Sequence, residues 1–68
     1  MTTIPDIIIE LRARAGMSQS ALDEAADLPN GTIGKAERGT IDIKATYLLR
    51  IIEATGHVLI IRHKEDQQ

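Results

Sequence analysis

The fold is decided by the stretch from Leu11 to Gly39, which reads LRARAGMSQSALDEAADLPNGTIGKAERG. Ser18 is a favourable N-cap, so a helix is predicted to follow it over residues 19–26. The inward positions of this helix are expected to be Leu22, Ala25 and Ala26. A turn follows because Pro29 biases the residue before it away from helical angles. The next helix is expected to begin at Pro29, run through Glu37 and be closed by Gly39.

One further helix is predicted on each side of this pair. Pro5 fits the first position of a helix and Gly16 its C-terminal cap, which predicts a helix over residues 5–15. Its inward positions are expected to be Ile7, Ile8, Leu11 and Ala15. The last helix covers about residues 43–55 and ends at Gly56. Its expected apolar stripe is Ala45, Leu48, Leu49, Ile52 and Thr55 or Ala54.

After Gly56 the pattern changes to one that is typical of a strand. Residues 57–63, HVLIIRH, are rich in β-branched side chains and apolar on both faces. A lone strand leaves its backbone unpaired, so we expect it to pair antiparallel with the same strand of a second subunit. The residues predicted to form this dimer contact are Val58, Leu59, Ile60 and Ile61.

These elements predict a mainly α protein with a helical domain at residues 1–56, a dimerisation strand at 57–64 and a flexible tail at 65–68. A chain of 68 residues without Cys has room for one domain and a marginal core, and oligomerisation commonly supports such folds. The N-terminus lacks the basic and apolar regions of a signal peptide, and no run approaches the roughly 18 apolar residues of a membrane span. We therefore expect a cytoplasmic protein that does not contact membranes.

Catalysis, metal binding and cofactors are not expected. His57 and His63 would share a face of the strand, but two His without Cys make a poor metal site. Ser18 and the scattered carboxylates offer no nucleophile paired with a base, and there is no glycine-rich phosphate loop. Tyr47 is the sole aromatic residue, which disfavours recognition of single-stranded RNA by stacking.

The order and spacing of several short motifs resemble the XRE, or lambda-repressor-like, helix-turn-helix family over residues 4–56. The matching residues are Leu11-Arg12, Gly16-Met17-Ser18-Gln19, Leu22, Leu28, Thr32-Ile33 and Glu37-Arg38-Gly39. The resemblance implies a domain of four to five helices that binds double-stranded DNA and regulates transcription. The strand after the fourth helix also resembles HipB-type antitoxins, which dimerise through such a strand.

The resemblance also implies roles for individual residues. Gln19 matches the position that binds a phosphate and supports the recognition helix. Asn30, Gly31 and Thr32 match the start of that helix, where side chains reach base edges. The residues matching further DNA contacts are Lys35, at a phosphate or a base, and Arg38 and Lys44, at the backbone beside the following loop.

Elementary chemistry supports these roles but also offers plainer ones. A helix fits the major groove, Asn can pair bidentately with adenine, and helix N-termini present N–H groups to phosphate. Alternatively, Asn30 is an N-cap, Thr32 caps the helix or faces solvent, and Gln19 is a surface residue. The remaining cations would then be solvated charges: Lys35, Arg38 and Lys44. Arg12 and Arg14 are expected to solubilise the first helix or to pair with carboxylates.

Two residues depart from the family pattern. Asp27 stands where Gly is common, and it can adopt a positive φ or cap the next helix. Asp23 stands where the family has a small residue, so it either alters the helix crossing or hydrogen-bonds the start of the next helix. Gly31 and Gly34 each cost a helix about 1 kcal/mol, which indicates that the backbone closely approaches another group at these positions.

The sequence thus predicts a homodimeric repressor on a pseudopalindromic operator, with its own promoter as an expected target. The alternative is an antitoxin or a phage-encoded inhibitor whose main partner is a toxin or another protein. The net charge of −2 is unusual for a DNA-binding protein and, together with Asp23, slightly favours the alternative. Only the face that meets phosphate has to be basic, however, so we expect modest affinity with a shallow salt dependence.

Overall fold

The computed structural model describes residues 2–66, in which four α-helices form one packed body. They are α1 (Ile4–Ala15), α2 (Gln19–Ala25), α3 (Thr32–Glu37) and α4 (Ala45–Ala54). Helices α1 and α2 each pack against both α3 and α4. The prediction of a mainly helical domain is confirmed. Met1 and two residues of the predicted tail, Gln67 and Gln68, lie outside the described residues.

Local capping sets both ends of α1. The Thr3 hydroxyl accepts a hydrogen bond from the Asp6 N–H at 3.2 Å, and the Asp6 carboxylate accepts one from the Thr3 N–H at 3.4 Å. This reciprocal pair satisfies donors that the first turn leaves free. The helix therefore begins one residue earlier than predicted, with Pro5 at its second position. Gly16 ends it at a φ of 65°, which glycine adopts without strain.

A buried carboxylate fixes the turn between α2 and α3. Asp23 is 3% exposed. Its Oδ2 accepts from the Gly31 N–H and its Oδ1 from the Ile33 N–H, both at 2.9 Å. Of the two explanations for Asp23, the hydrogen bond to the start of the next helix is the one that the structure shows. Asp27, in the same turn, has a positive φ of 55°, which is the first of the two possibilities expected for it.

Helix α3 begins at Thr32, three residues later than Pro29, where it was predicted to start. The reason is Gly31, whose φ of 86° is incompatible with a right-handed helix. The Thr32 N–H and hydroxyl both donate to the Pro29 carbonyl, at 3.1 and 2.6 Å. Gly31 therefore lies before the helix, where its positive φ requires glycine, and only Gly34 lies inside it.

Each helix contributes one fully buried side chain to the core: Ile8, Leu22, Ile33 and Ile51. The stripe predicted for α4 missed Ile51 and included Leu49, which is 53% exposed. The buried side runs through Leu48, Ile51 and Thr55, so the prediction was correct for Leu48 and Thr55 but placed Leu49 in the stripe instead of Ile51. Ala25 was also predicted to face inward and is exposed.

The segment after α4 forms neither helix nor strand over residues 57–63 of the single chain. Its first residue is anchored, because the His57 N–H donates to the Ile52 carbonyl at 3.0 Å. The apolar residues that follow are exposed: Val58 by 81%, Leu59 by 56%, Ile60 by 65% and Ile61 by 86%. A strand needs a hydrogen-bonding neighbour, and one chain supplies none here, so strand pairing across a dimer stays a prediction.

The segment Lys64–Asp66 forms a short 3₁₀ turn beyond these residues. Across the described part of the chain, no helix combines the length and the apolar character required to cross a bilayer.

Replacing Asp23 with Ala should lower the free energy of unfolding by about 2 kcal/mol, because two N–H groups at the start of α3 lose their acceptor. Asp23→Asn retains one acceptor oxygen and should lose about half as much. Urea titration followed by far-UV circular dichroism measures both. Asp42→Ala removes an exposed carboxylate and serves as the control. Equal urea midpoints for Asp23→Ala and Asp42→Ala would contradict the role of Asp23.

Candidate nucleic-acid interface

The orientation of α3 is fixed by the Glu37 carboxylate in its last turn. Glu37 accepts hydrogen bonds from Arg12 Nε at 2.6 Å and Arg12 Nη2 at 2.9 Å. It also accepts one from Gln19 Nε2 at 3.1 Å. Because Arg12 lies on α1 and Gln19 on α2, a single carboxylate joins three helices.

The Arg12–Glu37 ion pair is largely shielded from water, with side-chain exposures of 24% and 7%. The hydrogen bond from Arg12 lowers the pKa of Glu37, and that from Glu37 raises the pKa of Arg12. Arg12 Nη1 also donates to the Met17 carbonyl at 3.1 Å, which ties the loop before α2 to the same guanidinium. The pair is therefore held in its charged form.

Of the two roles expected for Arg12 and Arg14, pairing with carboxylates is the one observed. Arg14 pairs with Glu10 on the exposed side of α1 at 3.2 Å. Sequence reasoning missed the importance of Glu37, which it treated only as the end of the predicted helix and as a residue matching the family pattern. The available signal was the Glu-Arg-Gly motif, in which Glu37 matches the family pattern.

Gln19, the residue expected to bind phosphate, lies at the start of α2 with its amide directed toward α3. One amide N–H donates to Glu37, and since the group carries two, the second is available to a ligand. A Cβ atom at position 34 would lie 3.2 Å from Gln19 Oε1. The close approach expected at Gly34 is therefore to the Gln19 side chain.

Four of the other residues expected at DNA surround α3 and are exposed: Asn30, Gly31, Lys35 and Arg38. Asn30 lies in the turn before α3, and the N-cap is Gly31, so the alternative of an Asn30 cap is wrong. Within residues 2–66 the Asn30 amide has no hydrogen-bond partner. Thr32 is 8% exposed and its hydroxyl donates to the Pro29 carbonyl, so little of this side chain is presented to a base edge.

Three backbone N–H groups at the start of α3 are already bonded within the fold and are not free to hold phosphate, contrary to the expectation for a helix N-terminus. The Asp23 carboxylate already accepts from the N–H groups of Gly31 and Ile33. The Thr32 N–H donates to Pro29. These three N–H groups are therefore not expected to bind an anionic ligand, whereas the exposed side chains around α3 remain available.

The charge around α3 is locally basic although the whole chain carries −2. Two of the ten carboxylates, Asp23 and Glu37, are satisfied inside the fold. The exposed charges from Gly31 to Lys44 are the cations Lys35, Arg38 and Lys44 and the single carboxylate Asp42. Cations that could bind phosphate are therefore exposed in this segment although the net charge of the chain is acidic.

A groove of about 640 Å³ lies on another side, between the start of α1 and the connection from α3 to α4. Its lining is mostly apolar and includes Ile4, Ile41 and Leu48. None of the seven residues expected at DNA lines it. In residues 2–66, His, Asp and Glu form no group of three or more suited to a metal ion.

Two short helices joined by a tight turn, with exposed polar and cationic side chains around the second, define a helix-turn-helix DNA-binding domain. The helix-turn-helix family model matches residues 8–58, and the chain belongs to this XRE, lambda-repressor-like family. Searches of curated proteins and of solved structures found no match. The protein is accordingly a DNA-binding transcription regulator by class.

Replacing Arg12 with Met should lower the free energy of unfolding by about 2 kcal/mol at neutral pH, because Glu37 is left shielded without its partner. Arg14→Met removes an exposed pair and should change it little. Urea titration at several pH values measures both effects.

The same titration tests the pH dependence. A carboxylate whose pKa is lowered by folding stabilises the protein above its ordinary pKa of about 4.3, and this contribution is lost as the pH falls. Wild type should therefore lose stability in acid more steeply than Arg12→Met, in which the contribution is already absent. Parallel pH profiles for the two proteins would contradict the role of the ion pair.

Proposed function

We propose that the protein is a transcriptional repressor that binds double-stranded DNA through the exposed side of α3 and acts as a homodimer. The observation that carries the proposal is that Asn30, Lys35 and Arg38 are exposed in and next to α3, while hydrogen bonds to the rest of the domain hold this helix in place. Hydrogen bonds of Glu37 and Asp23 join α3 and the turn before it to two other helices, α1 and α2, so these exposed side chains project from a fixed frame. Fixed geometry is what recognition of base edges requires.

The proposed roles follow from the donors and acceptors of each side chain. The Asn30 amide reads a base edge in the major groove, where adenine offers the matching acceptor and donor. Lys35, Arg38 and Lys44 bind phosphates and set the register of the domain on the duplex. Gln19 donates its second amide N–H to a phosphate, and Gly31, without a side chain, allows the turn to lie close to the DNA.

The proposed dimer uses the exposed apolar segment after α4, residues 58–61. Four consecutive large apolar side chains exposed to water indicate a surface that is covered in the working protein. Antiparallel pairing of residues 57–63 about a two-fold axis would satisfy the backbone and bury side chains on both subunits. Residues 1–56 would then be the DNA-binding part and 57–64 the dimerisation part, with 65–68 as a tail.

A two-fold dimer presents two α3 helices to two half-sites. In such proteins the half-sites lie about one helical turn, roughly 34 Å, apart, and the operator is a pseudopalindrome. Occupying such a site within a promoter blocks polymerase. We propose the promoter of the protein's own gene as one target.

A second candidate function is supported by the same exposed segment. If Val58–Ile61 is covered by a different protein and not by a second copy, the chain is an antitoxin or a phage-encoded inhibitor. The net charge of −2 favours this candidate because it weakens general attraction to DNA. A cotranscribed toxin or anti-defence gene would support it.

Asn30→Ala should remove most of the preference for specific DNA, reducing the ratio of specific to scrambled affinity by about 10-fold or more. Lys35→Gln should weaken binding to both DNAs equally and reduce the salt slope by about 1. Fluorescence anisotropy on DNA from upstream of the gene, at two salt concentrations, measures both. Arg14→Gln is the control for loss of one surface charge. A wild-type protein that does not distinguish native from scrambled DNA would contradict the proposal.

Ile60→Asp should convert the dimer into a monomer, because each copy would bring a carboxylate into the proposed apolar contact. Since Ile60 is 65% exposed in the single chain, the fold itself should be retained, as circular dichroism can check. Sedimentation equilibrium measures the mass. Ile41→Asp, at an apolar residue 40% exposed outside the segment, is the matched control. A monomeric wild type, or a variant that dimerises equally well, would overturn the dimer contact.

A further inference from the structure

Two cations on α4 and at its N-cap share the single aromatic ring of the protein. Lys44 Nζ lies 5.5 Å from the centroid of the Tyr47 ring, and the Arg50 guanidinium carbon lies 5.6 Å from the same centroid. Both distances are within the range of cation–π attraction, which extends to about 6 Å. Tyr47 itself is half-buried and packs against the core, so its ring has a fixed position next to the two long cationic side chains.

This cluster, Lys44–Tyr47–Arg50, contacts both connections that flank α3. Lys44 ends the connection from α3 to α4, where it is the N-cap of α4. Arg50 Nη1 donates to the carbonyl of Asp27, in the turn between α2 and α3, at 3.2 Å. The cluster therefore extends from the segment before α3 to the segment after it.

Neither cation forms an ion pair with a described side chain of residues 2–65, although Arg50 lines a surface pocket together with Asp27 and Glu53. Arg12 and Arg14 pair with carboxylates, but no carboxylate lies within 4.0 Å of Lys44 or Arg50 in that part of the chain. Two exposed like charges held on one ring repel each other, and a shared anion would relieve the repulsion. Their location at the two connections that flank α3 makes the phosphodiester backbone the anion of matching chemistry.

We propose that Lys44 and Arg50 bind the DNA backbone as a second phosphate contact beside α3, and that Tyr47 is the positioning residue for both cations. The inference rests on the proposed DNA-binding function and extends it to Arg50 and Tyr47. Holding long side chains on an aromatic ring reduces the rotamer freedom that binding would otherwise remove. Arg50 also offers more donors than the one used by Asp27, so it can bind phosphate without releasing the turn.

A purely structural cluster would behave differently. If Arg50 served only to hold the Asp27 turn, its removal would change protein stability and not the number of phosphates neutralised. The number of phosphates is reported by the slope of log affinity against log salt, about 0.9 per phosphate on duplex DNA. The salt slope is therefore the measurement that separates the two roles.

The test is fluorescence anisotropy of the full chain on native and scrambled duplexes across a series of salt concentrations. Arg50→Gln should weaken binding to both duplexes about 3- to 10-fold and reduce the salt slope by about 1, while Arg50→Lys should restore the slope. Tyr47→Phe keeps the ring and should bind within about twofold of wild type, whereas Tyr47→Leu should behave like Arg50→Gln. Arg14→Gln is the matched control for the removal of one exposed charge.

The outcomes separate this inference from the function on which it rests. A wild-type chain that binds neither duplex overturns both. Wild-type binding with an unchanged salt slope in Arg50→Gln, in protein that is folded by circular dichroism, overturns the inference and leaves the function standing. If Tyr47→Leu alone retains the wild-type slope while Arg50→Gln loses it, Tyr47 is not the positioning residue. Reduced slopes in both, restored by Arg50→Lys, support the proposal.

Discussion

The Glu37 carboxylate joins three of the four helices at one point. It accepts hydrogen bonds from Arg12 on α1 and Gln19 on α2, while its own backbone belongs to α3. Helix α3 has six residues, too few to be stable alone in water. Its shape is therefore imposed by its surroundings: the buried Ile33, the Glu37 network at its end and the Asp23 carboxylate at its start.

The two sides of α3 therefore differ. On the inner side the polar groups are hydrogen-bonded within the fold, whereas on the outer side polar side chains are available to a ligand. The polar groups near the inner side, from the Thr32 hydroxyl to the Glu37 carboxylate, have partners within the fold. The outer side chains, such as Lys35 and Arg38, form no ion pair in the described residues. Within the described part of the chain, no buried side-chain polar atom lacks a hydrogen bond. Polar groups that are still available for a ligand are therefore on the surface.

The segment after α4 differs from the outer side of α3, because the side chains that it exposes to solvent in the single chain are apolar. The buried core of the helical body does not include Val58–Ile61, since its members lie between Ile8 and Ile51. The apolar surface is thus available to stabilise an assembly without weakening the monomer. In the proposed dimer, two linked DNA-binding domains would bind DNA far more tightly than one.

The sequence by itself determined the features that depend on neighbouring residues. Ser18, Gly16 and Gly56 mark helix ends through hydrogen bonds or φ angles within a few positions, and the helices lie where these residues indicated, to within about three residues. The spacing of the helix-turn-helix motif likewise indicated the family that the comparison confirmed.

Only the tertiary structure decided which partners distant residues find. Arg12 and Glu37 are 25 positions apart, and Asp23 reaches N–H groups 8 and 10 positions away. The face of α4 that is buried, with Ile51 inside and Leu49 outside, depends on how the helix rolls against the other three. No local pattern specifies these contacts, because each is selected by the shape and charge of a surface that exists only after the helices have packed.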